Sequence, residues 1–397
     1  MGRGCWALLL GAGCPAGEAV DPVVTRTATV SVDEGVVLYG EASTGSALAV
    51  TDIDGDGADE LLFFEQRYVD TAGTGAAVGV LRGRPVVSAD LTLMAAFRAY
   101  SSADASIFGY PFAPLADGRL LVADWAVQCD GDGAVWLLDG PFATTEWNDT
   151  CASSPGWMRV AAPNGVIGYG NAVVALPDGY AVGAPASATV FRTGETAETR
   201  TGPAGYGTSL LAADLDGDGV VELIVGAPDA GEVDAGTILR RDVGFGTALV
   251  AGDLDGDGRP DLVVGDRPEG AAAAGSWWFY PSPPADGGAL RIAESGWVYP
   301  IGPTADVPGD LDGDGHAEFM AASPGADDAV TVCYGPFPSS RSVRVTGPEG
   351  STRSGLGRAQ THGDLDGDGT MELILAAPRE AGLARPGIFV LGALPAP

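Results

Sequence analysis

The chain has 397 residues, a formal net charge of −32 and no lysine. An acidic surface of that size repels nucleic acid phosphates and anionic lipid, and without lysine neither a Schiff base nor a P-loop can be built. The 61 glycines and 28 prolines, beside 46% hydrophobic residues, suit many short strands and turns around an ample core better than helices.

The first segment, MGRGCWALLLGAGC, sets Arg3 before a short apolar run from Trp6 to Leu10 and small residues before Cys14. This is the layout of an export signal. It resembles a bacterial lipoprotein leader, although Gly11 stands where that pattern prefers leucine. The resemblance implies cleavage after residue 13, a lipid on Cys14 and a tether over 14–24. The protein is then expected at the outer membrane or cell surface, and otherwise in the periplasm or secreted. No later run of about 18 apolar residues follows, so a lipid would be the only membrane attachment.

From residue 25 the chain reads as strands. TRTATVSV (25–32) is one, and five acidic segments then recur: DIDGDGADE (52–60), DLDGDGVVE (214–222), DLDGDGRPD (253–261), DLDGDGHAE (310–318) and DLDGDGTME (364–372). Each runs straight into an apolar strand-like stretch. The spacings between motif starts are 162, 39, 57 and 54. A period near 54 fits three times into 162, so the long gap should hold two repeats without the acidic loop. They are FGYPFAPLADGRLLVADW (108–125) and IGYGNAVVALPDGYAVGAP (167–185), in which Asp117-Gly118 and Asp178-Gly179 are expected as tight hairpin turns. The count is seven.

Repeats of 40 to 60 residues signal propellers or solenoids. Third strands are expected at 77–83, 134–140, 187–192, 236–241, 276–281, 329–335 and 387–392, with a fourth at 90–97, 289–295 and 342–347. The fourth unit has only Asp242 and Val243 before its successor and is expected to lack an outer strand. The surplus strand at 25–32 is expected to complete the last blade and close the ring, which removes exposed sheet edges. The fold class is therefore all-β, a seven-bladed β-propeller over 25–397 with hairpin calcium loops in five blades.

The units resemble FG-GAP repeats, the blades of the integrin α-subunit propeller and of many bacterial surface proteins. The FG element is seen as Phe108-Gly109, Tyr206-Gly207 and Phe245-Gly246, and the GAP element as Gly183-Ala184-Pro185 and Gly226-Ala227-Pro228. The resemblance implies a surface binding or adhesion module whose ion loops lie away from the ligand face. The integrin leg domains are absent from this sequence.

The loop chemistry points to calcium, a hard cation that takes six to eight oxygens. Carboxylates at positions 1, 3, 5 and 9 can converge around a sharp turn at the position-6 glycine, with the position-7 carbonyl between them. The ligand sets are Asp52, Asp54, Asp56 and Glu60; Asp214, Asp216, Asp218 and Glu222; Asp253, Asp255, Asp257 and Asp261; Asp310, Asp312, Asp314 and Glu318; and Asp364, Asp366, Asp368 and Glu372. About five Ca²⁺ are expected. An EF-hand would need a glutamate at position 12, where this chain has Phe63, Val225, Val264, Ala321 and Leu375. Plain acidic turns are the alternative, and they leave four crowded carboxylates per loop unexplained.

The remaining candidates are few. Cys129 and Cys151 flank a polar loop and can pair in an oxidising compartment, worth roughly 3 kcal/mol. Cys333, in AVTVCYG, reads as a small buried apolar residue. His316 and His362 read as loop residues in contact with solvent. Trp277 and Trp278 read as core. Trp125, Trp136, Trp147 and Trp157 gather around the two ion-free blades and offer a candidate sugar- or peptide-binding surface. No GxSxG elbow is present, and no catalytic residue is assigned. The expected function is a monomeric, exported, calcium-binding module for a protein or glycan partner at the cell surface. The alternative is a lectin or polysaccharide-active enzyme on the same scaffold.

Overall fold

The computed structural model describes residues 27–32, 35–40, 43–70, 73–85, 88–90, 97–101, 110–124, 133–140, 142, 146–148, 153, 155–267, 275–295, 305–323, 329–337, 341–347, 355–378, 386–392 and 394. These residues form seven sheets arranged as seven blades, antiparallel apart from one short parallel strand added to each of three of them. The innermost strands, in ring order, are Leu48–Thr51, Phe112–Pro114, Ala172–Leu176, Ser209–Ala213, Phe245–Gly252, Ala305–Asp306 and Gln360–Gly363. Each touches the next, and the last touches the first, so the ring is closed.

The second strands explain the unbroken apolar runs of the sequence. In Glu60–Asp70, Leu62 and Phe64 point into the seam with blade 2, while Leu61 and Phe63 point into the seam with blade 7. Alternate residues of a strand face opposite ways, so a strand sandwiched between two neighbours is apolar on both faces. Seven apolar clusters result, one in each seam between adjacent blades. Trp277 of blade 5 meets Phe319 of blade 6 edge-on, with ring centroids 5.7 Å apart. Burying one such side chain contributes roughly 1.5–3 kcal/mol.

The FG and GAP glycines set how closely blades approach. A Cβ on Gly183 or Gly226 would collide with the carbonyl oxygen of Gly207 or Gly246 in the following blade. Gly207 and Gly246 have φ of 92° and 89°, the left-handed region open to glycine at no steric cost. Three further glycines hold the same place, Gly45, Gly170 and Gly357; their N–H groups donate to Phe64, Gly183 and Ala376. Sequence reading missed these three, because Thr44 and Leu356 replace the aromatic of the FG element and the Tyr169-Gly170 pair was passed over. Phe108-Gly109 lies outside the described residues.

Ring closure differs from the expectation. Thr27–Ser31 does not complete the last blade; it runs parallel to Ser342–Thr346 as a fifth strand of blade 6. The strand that completes blade 7 is Val36–Tyr39, antiparallel to Gly387–Leu391. Leu38 is fully buried there in the seam with blade 1. Gly35 makes the crossing possible, since a Cβ there would fall 2.6 Å from both Leu391 and the Val390 carbonyl oxygen. Two more short strands are added in parallel: Glu146–Asn148 on blade 1, and Ala89–Asp90 on blade 7.

Blade 4 is also corrected. Its third strand is Glu232–Asp234, and Ile238–Arg240, expected as part of the third strand, is the outer one, so the blade has four strands. The outer strand of blade 1 is Phe97–Ser101, later than the expected 90–97. In blade 3 the hairpin turn is Pro177-Asp178, and Gly179 already pairs with Leu176. Proline fixes φ at the second turn position, which moves the turn one residue ahead of the Asp-Gly pair. In blade 2, Gly118 has φ of 79° while Asp117 does not reach positive φ, within a longer turn closed between Leu115 and Arg119.

Candidate metal centres

All five acidic loops join the innermost strand of a blade to its second strand, so antiparallel order places them on one face of the ring. They are blade 1 (52–60), blade 4 (214–222), blade 5 (253–261), blade 6 (310–318) and blade 7 (364–372). The turns that replace them, at Asp117 and Asp178, lie in the same connection of blades 2 and 3.

Each loop is built the same way. The position-1 aspartate folds back on its own loop and accepts two or three of the backbone N–H groups at positions 4 to 6. In blade 1, Asp52 accepts from Gly55 at 2.6 Å, Asp56 at 3.1 Å and Gly57 at 3.0 Å. In blade 4, Asp214 accepts from Gly217, Asp218 and Gly219 at 2.8, 3.1 and 2.9 Å. The position-5 aspartate accepts the position-7 N–H in every loop, from Ala58, Val220, Arg259, His316 and Thr370. The position-9 carboxylate, at the start of the second strand, accepts the position-2 N–H, from Ile53 at 3.0 Å, Leu215 at 2.8 Å, Leu254 at 2.9 Å, Leu365 at 3.0 Å, and Leu311. Two glycines serve the turn. Gly55 and Gly57 have φ of 78° and 94°, and every other loop repeats the pair, so position 4 demands glycine as strictly as position 6.

This scaffold brings carboxylate oxygens together. Asp214, Asp216, Asp218 and Glu222 present oxygens all within 4.8 Å of one another, as do Asp310, Asp312, Asp314 and Glu318. In the other loops three carboxylates converge: Asp52, Asp54 and Glu60; Asp253, Asp255 and Asp261; Asp364, Asp366 and Glu372. Asp56, Asp257 and Asp368 stand outside these sets, and Asp257 pairs with Arg259 at 2.6 Å.

Four of the five position-9 carboxylates, Glu60, Asp261, Glu318 and Glu372, are buried, unusual for an acid without a full complement of partners, and Glu222 is half-buried. Burial pushes Glu318 up to about 7, with the Asp312 and Asp310 charges adding to it. Burial pushes Asp261 up to about 6. Glu60, Glu222 and Glu372 are raised by burial first and by the neighbouring loop aspartates after it. Among the described residues, Glu318 Oε1 and Asp312 Oδ1 are buried with no hydrogen-bond partner. An all-oxygen, all-carboxylate set with orphaned buried oxygens fits a hard divalent cation. Calcium would be held by these oxygens, supplying the positive charge that the loops lack.

The other predicted site residues fare differently. Cys14, Cys129 and Cys151 lie outside the described residues. Cys333 is buried as expected, yet it is not a free thiol: it is disulfide-bonded. His362 keeps solvent contact but lies on the innermost strand Gln360–Gly363 rather than in a loop, and its Nδ1 lies 2.7 Å from Asp306 Oδ2 on the innermost strand of blade 6. His316 lies at position 7, with its ring against Gly256 of the neighbouring loop. Trp136 and Trp157 pack edge-on, centroids 6.1 Å apart, inside the seam between blades 1 and 2. Two of the four tryptophans are therefore core, which weakens the sugar-binding surface expected there. Trp278 donates to Asp266 at 2.7 Å, and the Arg241 guanidinium stacks 3.3 Å over its ring.

The FG-GAP repeat matches two stretches, residues 206–239 and 245–278. They cover blade 4 from Tyr206 to its outer strand, and the first three strands of blade 5. No curated protein matches the chain. The chain is thus a seven-bladed β-propeller that carries FG-GAP repeats, similar to the integrin α-subunit propeller, and its fold is that of a protein-interaction module.

Proposed function

We propose that this chain is an exported, calcium-loaded propeller that binds a protein partner at the cell surface and performs no chemistry of its own. The observation that carries the reading is the fivefold convergence of carboxylates on one face of a closed ring. Calcium held there braces the connections between first and second strands. The opposite face, made by the connections between second and third strands and between successive blades, is then left for the partner. The leader at 1–13 and the candidate lipid on Cys14 support an anchored, surface-exposed placement.

Two measurements test this. Equilibrium dialysis should find about five bound Ca²⁺ per chain. Immobilised protein should retain members of an extracellular protein array in calcium and release them in EDTA, with a glycan array blank. Glycan hits without protein hits would move the reading to a lectin. Labelling with radioactive palmitate, lost in Cys14→Ser, tests the anchor.

A further inference from the structure

Among the described residues four arginines meet the acidic loops, and they do so in two ways. Arg259 pairs with Asp257, which is outside the converging set of its own loop. Arg84 behaves differently. It follows the third strand of blade 1, Gly73–Arg82, and reaches across the closing seam to the loop of blade 7. Its Nη1 lies 3.1 Å from Asp366 Oδ2 and 3.0 Å from Glu372 Oε1. Those are two of the three carboxylates that converge there. Arg82 likewise pairs with Asp54, and Arg341 with Asp312 and Asp314, all members of converging sets. The set Asp214, Asp216, Asp218 and Glu222 has no cationic partner among the described residues.

The geometry at Glu372 makes the competition specific. This side chain is fully buried, and its Oε2 already accepts the Leu365 N–H at 3.0 Å. Oε1 is the oxygen left over. It has no hydrogen bond of good geometry, and the charge beside it is that of Arg84. A guanidinium carries a permanent positive charge, and that charge repels a cation that needs the same oxygen at roughly 2.3–2.6 Å.

We propose that Arg84 is a built-in counter-ion of the 364–372 loop, holding Asp366 and Glu372 in the absence of calcium and leaving them when calcium binds. Arg82 and Arg341 serve the 52–60 and 310–318 loops in the same way. The 214–222 loop, with four converging carboxylates and no arginine, fills at the lowest calcium concentration. The inference rests on the calcium reading above.

The test uses the full chain as wild type, Arg84→Gln, Arg84→Lys and Arg119→Gln, with melting followed in EDTA and in calcium, and binding followed by equilibrium dialysis of calcium. Arg84→Gln is expected to melt below wild type in EDTA and to gain more from calcium. One of its binding steps should move to about two- to fivefold lower free calcium, the worth of one partly exposed ion pair. Arg84→Lys should fall between the two, and Arg119→Gln, whose arginine pairs with Asp117 at the ion-free turn of blade 2, should bind calcium as wild type does. If Arg84→Gln loses the same number of degrees in EDTA and in saturating calcium, with unmoved binding steps, Arg84 is a structural residue and the inference is overturned. If no protein of the set binds calcium, the calcium reading falls and takes the inference with it.

Discussion

The N–H of Asp59 donates to the carbonyl of Asp364 at 2.8 Å, and the Asp59 carboxylate accepts the Asp364 N–H at 2.9 Å. This reciprocal pair ties the loop of the first blade to the loop of the last. The same backbone bond recurs between blades 5 and 6, where Ala317 N–H donates to the Asp253 carbonyl at 2.8 Å. Blade 5 cannot repeat it toward blade 4, because Pro260 occupies the donor position and has no N–H. The closing seam thus carries an extra side-chain bond that the blade 5–6 seam lacks. Asp59→Ala removes that bond and leaves the Asp364 N–H without its carboxylate. The expected cost is roughly 1–3 kcal/mol, read as a melting temperature lower by a few degrees. Asp59→Asn retains an acceptor oxygen and should lose less. Equal melting of all three proteins would show that the seam closes without this bond.

Gly226 tests the inter-blade approach. A Cβ there would collide with the Gly246 carbonyl oxygen and with Ser209 Oγ. Backbone cannot swing away as a flexible side chain can, so Gly226→Ala must push blades 4 and 5 apart. Overpacking of this kind costs roughly 1–3 kcal/mol or more. Gly219→Ala provides the comparison: φ is +87° there, and a Cβ would meet open space. Its cost is backbone strain alone, on the order of 1–2 kcal/mol. Urea denaturation of both variants should rank Gly226→Ala as the more damaging, and the reverse order would mean that the seam can widen freely.

These two glycines also show what sequence can carry. Five loops are legible because each repeats acids and glycines at fixed positions, and blade number follows from spacing alone. Gly226 is legible as part of a GAP triplet. Gly45 and Gly357 are not, because Thr44 and Leu356 precede them and only the meeting of two blades defines their place. The choice between Thr27–Ser31 and Val36–Tyr39 as closing strand is likewise invisible. Both runs are apolar enough to pair, and the decision lies in which free edge each meets: Ser342–Thr346 for one, Gly387–Leu391 for the other. The arginines at the loops were missed for a similar reason, since Arg84 and Glu372 are distant in sequence and meet only when the ring closes.

Asp124, at the end of the second strand of blade 2, makes a prediction in pH. It is 3% exposed, and burial raises its carboxyl from the usual 3.8 to about 6. A raised acid costs stability whenever it is ionised in the folded state. The penalty is complete above pH 6, shrinks as pH falls, and is gone below the unfolded value of 3.8. Asp124→Asn removes the charge while keeping the shape. It should stabilise the protein at pH 7.5 by up to about 3 kcal/mol, with the advantage fading between pH 6 and pH 4. Melting curves of the two proteins across that range should converge in acid. An advantage that does not change with pH would assign the effect to packing.

Removal of calcium gives the largest expected effect, because the acidic loops are mutually repulsive by construction. In blade 4 four carboxylates converge within 4.8 Å, and Glu222 is raised by burial and by all three aspartates around it. A cation bound only by the folded chain stabilises it by about 2.7 kcal/mol at a hundredfold excess over its Kd, for each site filled. EDTA should therefore lower the melting temperature by many degrees, and millimolar calcium should restore it. Magnesium should restore little, since it holds its waters and prefers a small octahedral shell. Glu222→Gln, altered at a convergent carboxylate, should lose part of the calcium response. Asp117→Asn, altered at the turn that replaces the loop in blade 2, should keep all of it. A melting curve indifferent to both EDTA and calcium would leave five sets of crowded carboxylates with no cation to hold, and the proposed role of the loops would fail with it.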